Sequence, residues 1–337
     1  METEIPNESL LTHLKEEVDT RFGFEVGGST PIKRGWLNQK WKIETNQGVF
    51  LIKQYNKERM KRYDLSMIQS ALHTQNRLFS QGIACPEILS YKGDLLQKST
   101  EGERFTVMRF MEGSLVSPGN LSSNQMQSLG DEVGRLHTLL NDGTLSAKSE
   151  TIFKIPSIEE RVEYWQSEIH KCDEQGLDRV RSLMELQKTA TLALDLEQFN
   201  DLTPGWCHRD LWVDNLLFSE DHLSAILDFD RMNYDYIELD IGRLIISTCL
   251  QNNILNRKAV QAFLKGYNNT NELSVERLVI SLRLVWYMES TWWIDINPHE
   301  GEPPKRFQQE MVWLARHHQR LEKELEKRRS NNHVLTN

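Results

Sequence analysis

The spacing of hydrophobic positions changes from helical to alternating within the first third of the chain. Residues 8–20 carry apolar side chains at helical spacing, which predicts a short amphipathic helix. Residues 41–45 then alternate, a turn follows at Asn46-Gln47-Gly48, and the β-rich run 49–55 predicts the second strand of a hairpin. A further helix is predicted over 64–80, with strands over 83–92 and 104–111. After the first helix, this part of the chain is therefore predicted to form a small, mainly antiparallel sheet with one helix.

The helical period dominates after Glu112-Gly113. One predicted helix face is formed by Met126, Leu129, Val133, Leu136 and Leu140. Ser122 and Gln125 stand three residues apart before this face, a spacing typical of a capping box. Two more helices are predicted within 157–198, and long helices from about 240 to 329. Only the stretch 206–228 interrupts them, with short β-like runs joined by polar turns.

The length of 337 residues exceeds the size at which a single hydrophobic core usually stops growing, so two lobes are expected. The change of period places the limits at 1–110 and 111–329, followed by a flexible tail over 330–337. The predicted fold class is α+β, with a small antiparallel-sheet N-terminal lobe and a larger, mostly helical C-terminal lobe.

Composition and charge reduce the number of protein classes to which the chain can belong. Hydrophobic residues make up 39% of the chain and charged residues 26%, a balance typical of an ordinary globular protein. The formal charge of -9 argues against a nucleic-acid binder, which needs clustered Lys and Arg. The acidic N-terminus does not resemble a signal peptide, and no apolar run of membrane-spanning length occurs. The four cysteines lack metal-ligand or disulfide-framework spacing, so we predict a cytoplasmic protein without membrane partners.

One polar motif in the stretch 206–228 contains candidate catalytic and metal-binding residues. His208 is followed by Asp210 and then Asn215, and an apolar strand ends at the Asp228-Phe229 pair. This arrangement follows the H-R-D-x-x-x-x-N and D-F-G patterns of kinases. Phosphoryl transfer needs a carboxylate that accepts the proton of the attacking hydroxyl and oxygen ligands that hold magnesium. The motif predicts Asp210 as that base and Asn215 and Asp228 as magnesium ligands, brought together by a β-hairpin between them.

From about residue 33 to residue 247 the chain resembles the aminoglycoside phosphotransferase and choline kinase superfamily. The resemblance is carried by the segments CHRDLWVDNLLF, ILDFD and ELDIGRL. The superfamily also contains homoserine kinases, fructosamine kinases and kinase-like spore-coat proteins. It implies a two-lobed, protein-kinase-like fold and the phosphorylation of small molecules with ATP.

The resemblance assigns further residues to the nucleotide and to the catalytic loop. Lys53 matches the strand lysine that binds the phosphates, and the loop over the phosphates contains Gly35 and Asn38. The hinge, where backbone groups meet adenine, is matched at Arg109 and Phe110. Two buried residues are expected to support the catalytic loop from below, His208 and Asp240.

The chain departs from the superfamily pattern at two places near the phosphates. The loop keeps one glycine, Gly35, instead of a G-x-G-x-x-G motif. No acidic residue occurs between Asp64 and Glu87, where relatives place the glutamate that pairs with the strand lysine. Three polar residues of this helix are therefore candidates to orient Lys53: Gln69, His73 and Gln75. Asp230 is either a second metal or substrate contact or only a hydrogen-bond acceptor.

A candidate acceptor site lies in the aromatic segment 284–294. At helical spacing Trp286, Glu289 and Trp293 share a face, and an acid among aromatic rings suits a cationic amine. The alternative is a helix packed in the C-terminal lobe.

The sequence thus predicts an ATP- and Mg²⁺-dependent kinase that phosphorylates a hydroxyl of a small polar or amine-bearing metabolite. The resemblance offers homoserine, aminosugars and choline-like alcohols as acceptors, and we expect a monomer or homodimer without nucleic-acid partners. The alternative is a catalytically weak or inactive kinase-like protein with a nucleotide-binding or structural role, which the missing helix glutamate favours. A protein kinase is disfavoured because the short span from Asp228 to Asp240 leaves no room for an activation loop.

Overall fold

The structure is a computed structural model that describes residues 8–33, 38–61, 64–296 and 305–325. By inter-residue contacts the chain divides into two compact units. The described residues of Met1–Leu115, His208–Asp210 and Asp214–Asn233 form the first, here called the sheet unit. Those of Val116–Cys207, Leu211–Val213 and Tyr234–Asn337 form the second, the helical unit. The predicted limits 1–110 and 111–329 stay predictions, and the predicted tail 330–337 lies outside the described residues.

The secondary structure confirms a small antiparallel sheet followed by a mostly helical remainder. The strands are β1 (Val26–Pro31), β2 (Gln39–Thr45), β3 (Gly48–Tyr55), β4 (Gln97–Lys98), β5 (Arg104–Arg109), β6 (Pro204–Cys207), β7 (Leu216–Ser219), β8 (His222–Ile226), β9 (Asn233–Tyr236), β10 (Leu250–Gln251) and β11 (Ile254–Leu255). The α-helices are α1 (Glu8–Phe22), α2 (Lys57–Met60), α3 (Leu65–Ser80), α4 (Ser123–Leu140), α5 (Ile158–Gln175), α6 (Asp178–Leu192), α7 (Ile237–Cys249), α8 (Arg257–Tyr267), α9 (Val275–Trp293), α10 (Lys305–His317) and α11 (Leu321–Leu325).

The main sheet of the sheet unit has the strand order β1-β2-β3-β5-β4 and is antiparallel throughout. Because side chains alternate between the two faces of a strand, each face has its own core. On one face, Leu14 and Val18 of α1 pack against an apolar cluster that includes Trp41 and Ile52. On the other face, α3 packs against a cluster that includes Tyr55. The predicted hairpin of β2 and β3 is confirmed.

The predicted strand over 83–92 is wrong. This segment pairs with β5 only around Ile88, which bridges Met108, whereas the bridge of Tyr91 is to Asp94 within a tight turn. This turn ends the pairing with β5 after a few residues. The Asn76 side chain of α3 binds the Ile88 N–H and carbonyl, both at 2.8 Å, on the edge that faces away from β5.

The helical unit is built on helix pairs whose backbones approach closely. A Cβ added at Gly266 of α8 would lie 1.9 Å from the Gln127 carbonyl oxygen of α4, and one at Gly130 of α4 would lie 2.1 Å from that of Phe263. The α4 helix begins with the predicted capping box, in which Ser122 and Gln125 each bind the other's backbone N–H. None of the described helices is long and apolar enough to cross a membrane.

Two elements after residue 200 go beyond the predicted pattern. Residues 233–236 form strand β9, which pairs with β6. One turn of 3-10 helix at His318–Arg320 separates α10 from α11 within the region predicted to form long helices.

Candidate active site

The β7–β8 hairpin positions two of the predicted site residues. Asn215 immediately precedes β7, and Leu227-Asp228 follows β8. The Leu227 N–H donates to the Asn215 carbonyl at 2.8 Å, so the two ends of the hairpin lie side by side as predicted. Asp228 leaves the strand in the left-handed conformation, at φ 65°. This turn directs the chain into one turn of 3-10 helix at Phe229–Arg231, which carries Asp230.

Lys53 of β3 is buried between two carboxylates of this turn. Its Nζ lies 2.5 Å from Asp228 Oδ1 and 2.5 Å from Asp230 Oδ2, and its side chain is only 4% exposed. Burial alone would lower the pKa of the Lys53 amine, but the two carboxylates outweigh burial and raise it well above its usual value. Lys53 is therefore a fixed positive charge at neutral pH.

Asp228 lies between two lysines. Besides Lys53, the Nζ of Lys40 lies 3.8 Å from Asp228 Oδ2. Burial would raise the pKa of Asp228, yet Lys53 and Lys40 together hold it well below its usual range. Lys40 faces Lys53 directly across the β2–β3 ladder. The site thus contains a second cation that the sequence reasoning missed.

The predicted hairpin turn is enough to place Lys40 opposite Lys53, because it fixes the register of the two strands. Thr45 pairs with Gly48 at the turn, and from there each residue of β2 has a fixed partner on β3. Counting back five positions from Thr45 reaches Lys40, and counting forward five from Gly48 reaches Lys53. The predicted turn was therefore sufficient to place the two lysines on the same face of the sheet.

Asp230 pairs with Lys53, a role that the sequence predicts for one of three polar residues of α3. Gln69 and His73 are exposed, and Gln75 donates to the Pro86 carbonyl at 2.6 Å. The prediction that one of these three residues orients Lys53 is wrong, because Asp230 supplies the second carboxylate. Tyr55 OH in turn donates to Asp230 Oδ1 at 3.1 Å. Burial and the nearby Asp230 carboxylate raise the pKa of Tyr55, so its hydroxyl remains a donor.

Asp210 and Asn215 form a second polar pair in the sheet unit. Asn215 Nδ2 donates to the Asp210 backbone carbonyl and to Asp210 Oδ2, both at 2.9 Å. Arg231 Nε lies 4.0 Å from the other carboxylate oxygen, Oδ1. The Asp210 carboxylate is 11% exposed, so it is held in one orientation while part of it remains accessible.

His208 lies in the interior of the sheet unit, next to this loop. It is fully buried, and its ring contacts the Phe229 ring edge-on at 4.5 Å between centroids. Its Nδ1 accepts from the Asp210 backbone N–H at 3.2 Å. Arg209 between them has φ 64°, so the chain turns sharply there. A residue that supports the loop of Asp210 from the interior needs such contacts, and this role of His208 stays a prediction.

Asp240 belongs to a buried polar chain in the helical unit. Its Oδ2 lies 3.3 Å from His137 Nε2, and His137 Nδ1 lies 2.9 Å from Tyr267 OH. All three side chains are buried, and burial raises the pKa of Tyr267. The expectation that Asp240 supports the catalytic loop stays a prediction.

The described residues that are predicted to contact the nucleotide lie in the sheet unit. Gly35 lies outside the described residues. Asn38 Oδ1 accepts from the Asn56 backbone N–H at 3.2 Å, which ties the start of β2 to the end of β3. At the predicted hinge, the Arg109 N–H donates to the Glu87 carbonyl and the Phe110 N–H to the Val49 carbonyl. These backbone donors are therefore already paired within the sheet unit.

The three residues predicted to hold an amine have partners within the helical unit. Glu289 is buried and ion-paired with Arg243, whose Nη1 also donates to Glu310 at 2.8 Å. Trp286 is buried, donates to Gln187 and stacks on His318. Trp293 is half-buried, with its Nε1 3.3 Å from Glu289 Oε2. This arrangement favours the packed-helix alternative, because the charge of Glu289 is already neutralised by Arg243.

Among known proteins, the chain is similar in sequence to homoserine kinases. That of Rhizobium meliloti (strain 1021) is 24% identical over 277 residues, which is 80% of each chain. That of Methylobacterium nodulans (strain LMG 21967 / CNCM I-2342 / ORS 2060) is 26% identical over 289 residues, covering 84% of this chain and 82% of the relative.

Solved structures share the fold at lower identity. Spectinomycin phosphotransferase APH(9)-Ia, solved with ADP and spectinomycin, is 14% identical with a TM-score of 0.57, covering 91% of this chain and 98% of that one. Choline kinase from Cryptosporidium parvum Iowa II is 14% identical with a TM-score of 0.51, covering 95% and 93%. The kinase-like fold class is thereby confirmed. A model of the phosphotransferase enzyme family matches residues 29–276, and the protein belongs to that family.

Proposed function

We propose that the protein transfers the γ-phosphoryl group of ATP to a hydroxyl group of a small polar metabolite, with Mg²⁺ as cofactor. The observation that carries the proposal is the buried Lys53 between Asp228 and Asp230 in the same unit as the Asp210–Asn215 pair. These residues are the base, the oxygen ligands and the phosphate-binding cation that phosphoryl transfer requires. The ADP in the solved complex of the spectinomycin phosphotransferase supports nucleotide use.

The donor set fits magnesium bound largely through nucleotide phosphates. Asp228 offers a carboxylate and Asn215 an amide oxygen, both hard ligands of the kind Mg²⁺ prefers. Among the residues that the structure describes, no group of three or more His, Cys, Asp or Glu side chains forms a metal cage. Mg²⁺ usually takes one or two protein ligands and completes its coordination with phosphates and water. When bound, it would neutralise charge on the phosphates during transfer.

Asp210 would accept the proton of the acceptor hydroxyl. The amide of Asn215 holds Asp210 Oδ2, and Oδ1, which lies 4.0 Å from Arg231 Nε, would be the oxygen that receives the proton. Because Asn215 donates through Nδ2, its Oδ1 is the atom that it can offer to the metal. Lys53 and Lys40 would bind phosphate oxygens as two cations on one face of the sheet.

The pairing of Asp230 with Lys53 removes the main argument for a catalytically weak or inactive kinase-like protein. That reason was the absence of a helix glutamate to pair with Lys53. Asp230 provides the pairing carboxylate from the other side of the site, and Tyr55 orients it. The site therefore has a complete partner set for its lysine.

The direct test is an assay of ADP formation with a panel of acceptors, with and without Mg²⁺. L-homoserine, choline and spectinomycin represent the three acceptor classes. We expect Mg²⁺-dependent ADP formation above the acceptor-free rate with at least one of them. Binding of ATP without ADP formation from any acceptor would contradict the proposal and favour the inactive alternative.

Replacing Asp230 by Asn tests its pairing with Lys53. The variant keeps Asp228 but leaves the buried amine with one carboxylate, so we expect an increase of about tenfold in the KM for ATP. Steady-state kinetics at varied ATP measures this change. Tyr55→Phe is the matched control, because it removes only the hydroxyl that orients Asp230 and should change the same KM by less. A wild-type KM in Asp230→Asn would show that Asp228 alone positions Lys53.

A further inference from the structure

The segment Leu211–Val213 directly follows the proposed base Asp210 and packs in the helical unit, although Asp210 itself belongs to the sheet unit. The first and last side chains of this segment are buried. The Val213 N–H also donates to Ser247 Oγ of α7 at 3.2 Å. The chain on the C-terminal side of the base is therefore anchored within the helical unit.

Trp212, the middle residue of this segment, lies among aromatic side chains of two helices. Its ring stacks on the Phe307 ring of α10, with centroids 4.4 Å apart and planes inclined by 17°. The Trp293 ring of α9 lies 5.9 Å from the Trp212 ring and 4.6 Å from the Phe307 ring. Phe307 is buried, whereas the two tryptophans are half-buried. Because aromatic pairs at these distances attract one another, the rings hold Trp212 against α9 and α10.

Arg243 of α7 connects these rings to buried charges. Its guanidinium carbon lies 5.5 Å from the centre of the Trp212 ring and 5.8 Å from that of Phe307. The same guanidinium is ion-paired with Glu289 of α9 and Glu310 of α10, and all three charged side chains are buried. Removing one partner of a buried ion pair leaves an uncompensated charge, so the guanidinium is held in place. The Trp212 ring thus has two fixed neighbours, one stacked and one charged.

We propose that Trp212 is a positioning residue for the base, and that Phe307 and Arg243 act by holding its ring. Only one residue separates Trp212 from Asp210, so a displacement of the ring is passed along the backbone to the carboxylate. On its other side Asp210 is held by Asn215, which donates to its carbonyl and to Oδ2. A misplacement of about 1 Å can cost about 100-fold in rate. The effect on catalysis rests on the proposed function, whereas the anchoring of the loop does not.

The kinetic test replaces each ring of the stacked pair on the full-length protein. Trp212→Leu and Phe307→Leu keep an apolar side chain but remove the stacking, and each should lower kcat by about 10- to 100-fold. The KM values for ATP and for the acceptor should stay within about twofold, because neither ring is proposed to contact a ligand. Trp212→Phe retains a ring that can stack on Phe307, so its kcat should return to within about threefold of the wild type.

Trp313→Leu is the matched control for lost packing in α10. Trp313 is buried on the same helix and stacks on His317, with centroids 4.2 Å apart. Its replacement should lower the melting temperature and leave kcat within about twofold of the wild type. A loss of kcat in Trp313→Leu equal to that in Phe307→Leu would mean that general loosening of α10 is responsible, and would overturn the proposal. A raised KM for the acceptor at wild-type kcat in Trp212→Leu would overturn it too, because the ring would then contact the acceptor.

Amide hydrogen exchange separates this inference from the proposed function, because it needs no turnover. In Trp212→Leu and Phe307→Leu, peptides that cover residues 208–215 should exchange about tenfold faster than in the wild type, while peptides of β3 and β5 should be unchanged. Unchanged exchange over 208–215 in both variants would overturn the proposal, whatever the activity. Faster exchange there in a protein that forms no ADP with any acceptor would support the anchoring and contradict the phosphotransferase proposal.

Discussion

Replacing Asp210 by Asn is expected to lower kcat by about 10³-fold, because general-base catalysis typically contributes 10²- to 10⁴-fold. Asparagine is nearly isosteric with aspartate, and its oxygen can still accept the hydrogen bond that Asn215 donates to Asp210 Oδ2. The loop should therefore keep its geometry and lose only its basicity. Affinity for ATP should change little, since the change leaves Lys53, Asp228 and Asp230 in place. Steady-state kinetics and a nucleotide titration measure the two effects separately.

Asp214→Asn provides the matched control for this experiment. Asp214 lies exposed on the same loop, four residues after Asp210. Its amide variant should retain kcat within about twofold, as surface substitutions usually have small effects. A kcat in Asp210→Asn within tenfold of the wild type would mean that another group accepts the proton.

Replacing Asp228 by Asn is expected to lower kcat/KM by about 100-fold or more and to raise the Mg²⁺ concentration needed for half-maximal rate. A neutral amide is a weaker ligand than a carboxylate for a hard cation, and metal ions supply several kcal/mol of charge stabilisation. Asparagine is the appropriate replacement because Asp228 has φ 65°, a conformation that Asn tolerates better than most residues. Lys53 would retain Asp230 as its partner. Rates measured over a series of Mg²⁺ concentrations test both parts.

Asp221→Asn controls for removal of a negative charge from the same hairpin. Asp221 is exposed in the turn of the same hairpin that ends at Asp228. We expect it to leave the Mg²⁺ dependence unchanged. An unaltered Mg²⁺ dependence in Asp228→Asn would exclude Asp228 as a ligand.

Local patterns were sufficient to predict much of the sheet unit. The alternation in β2, the turn at 46–48 and the apolar run of β3 specify a hairpin with one register, because a slip by one residue would turn Trp41 and Ile52 away from α1. The hairpin between Asn215 and Asp228 follows from the same kind of pattern. Both were recognisable because their hydrogen bonds join residues close together in the chain.

Contacts that join distant segments were the ones that sequence reasoning could not place. Asp230 reaches Lys53 across 177 positions, and no local pattern distinguishes it from a hydrogen-bond acceptor in a turn. Arg243 neutralises Glu289 across 46 positions, so the acid in an aromatic helix face looked available for an amine. In both cases the deciding partner lies far away in the chain. The segment 83–92 has strand-like composition, but its pairing with β5 is limited to the residues around Ile88 by the tight turn at 91–94.

The separation of Lys53 from its carboxylates also bears on the order of events during synthesis. Asp228 lies 175 positions after Lys53, a stretch that takes roughly 9 to 35 s to translate at 5–20 residues per second. During that time β2, β3 and β5 can pair, since they lie within the first 109 residues. The amine of Lys53 then has neither of its counter-ions, so it must remain hydrated in the nascent chain. The face of the sheet that carries Lys53 therefore acquires its counter-ions only after residue 230 has emerged.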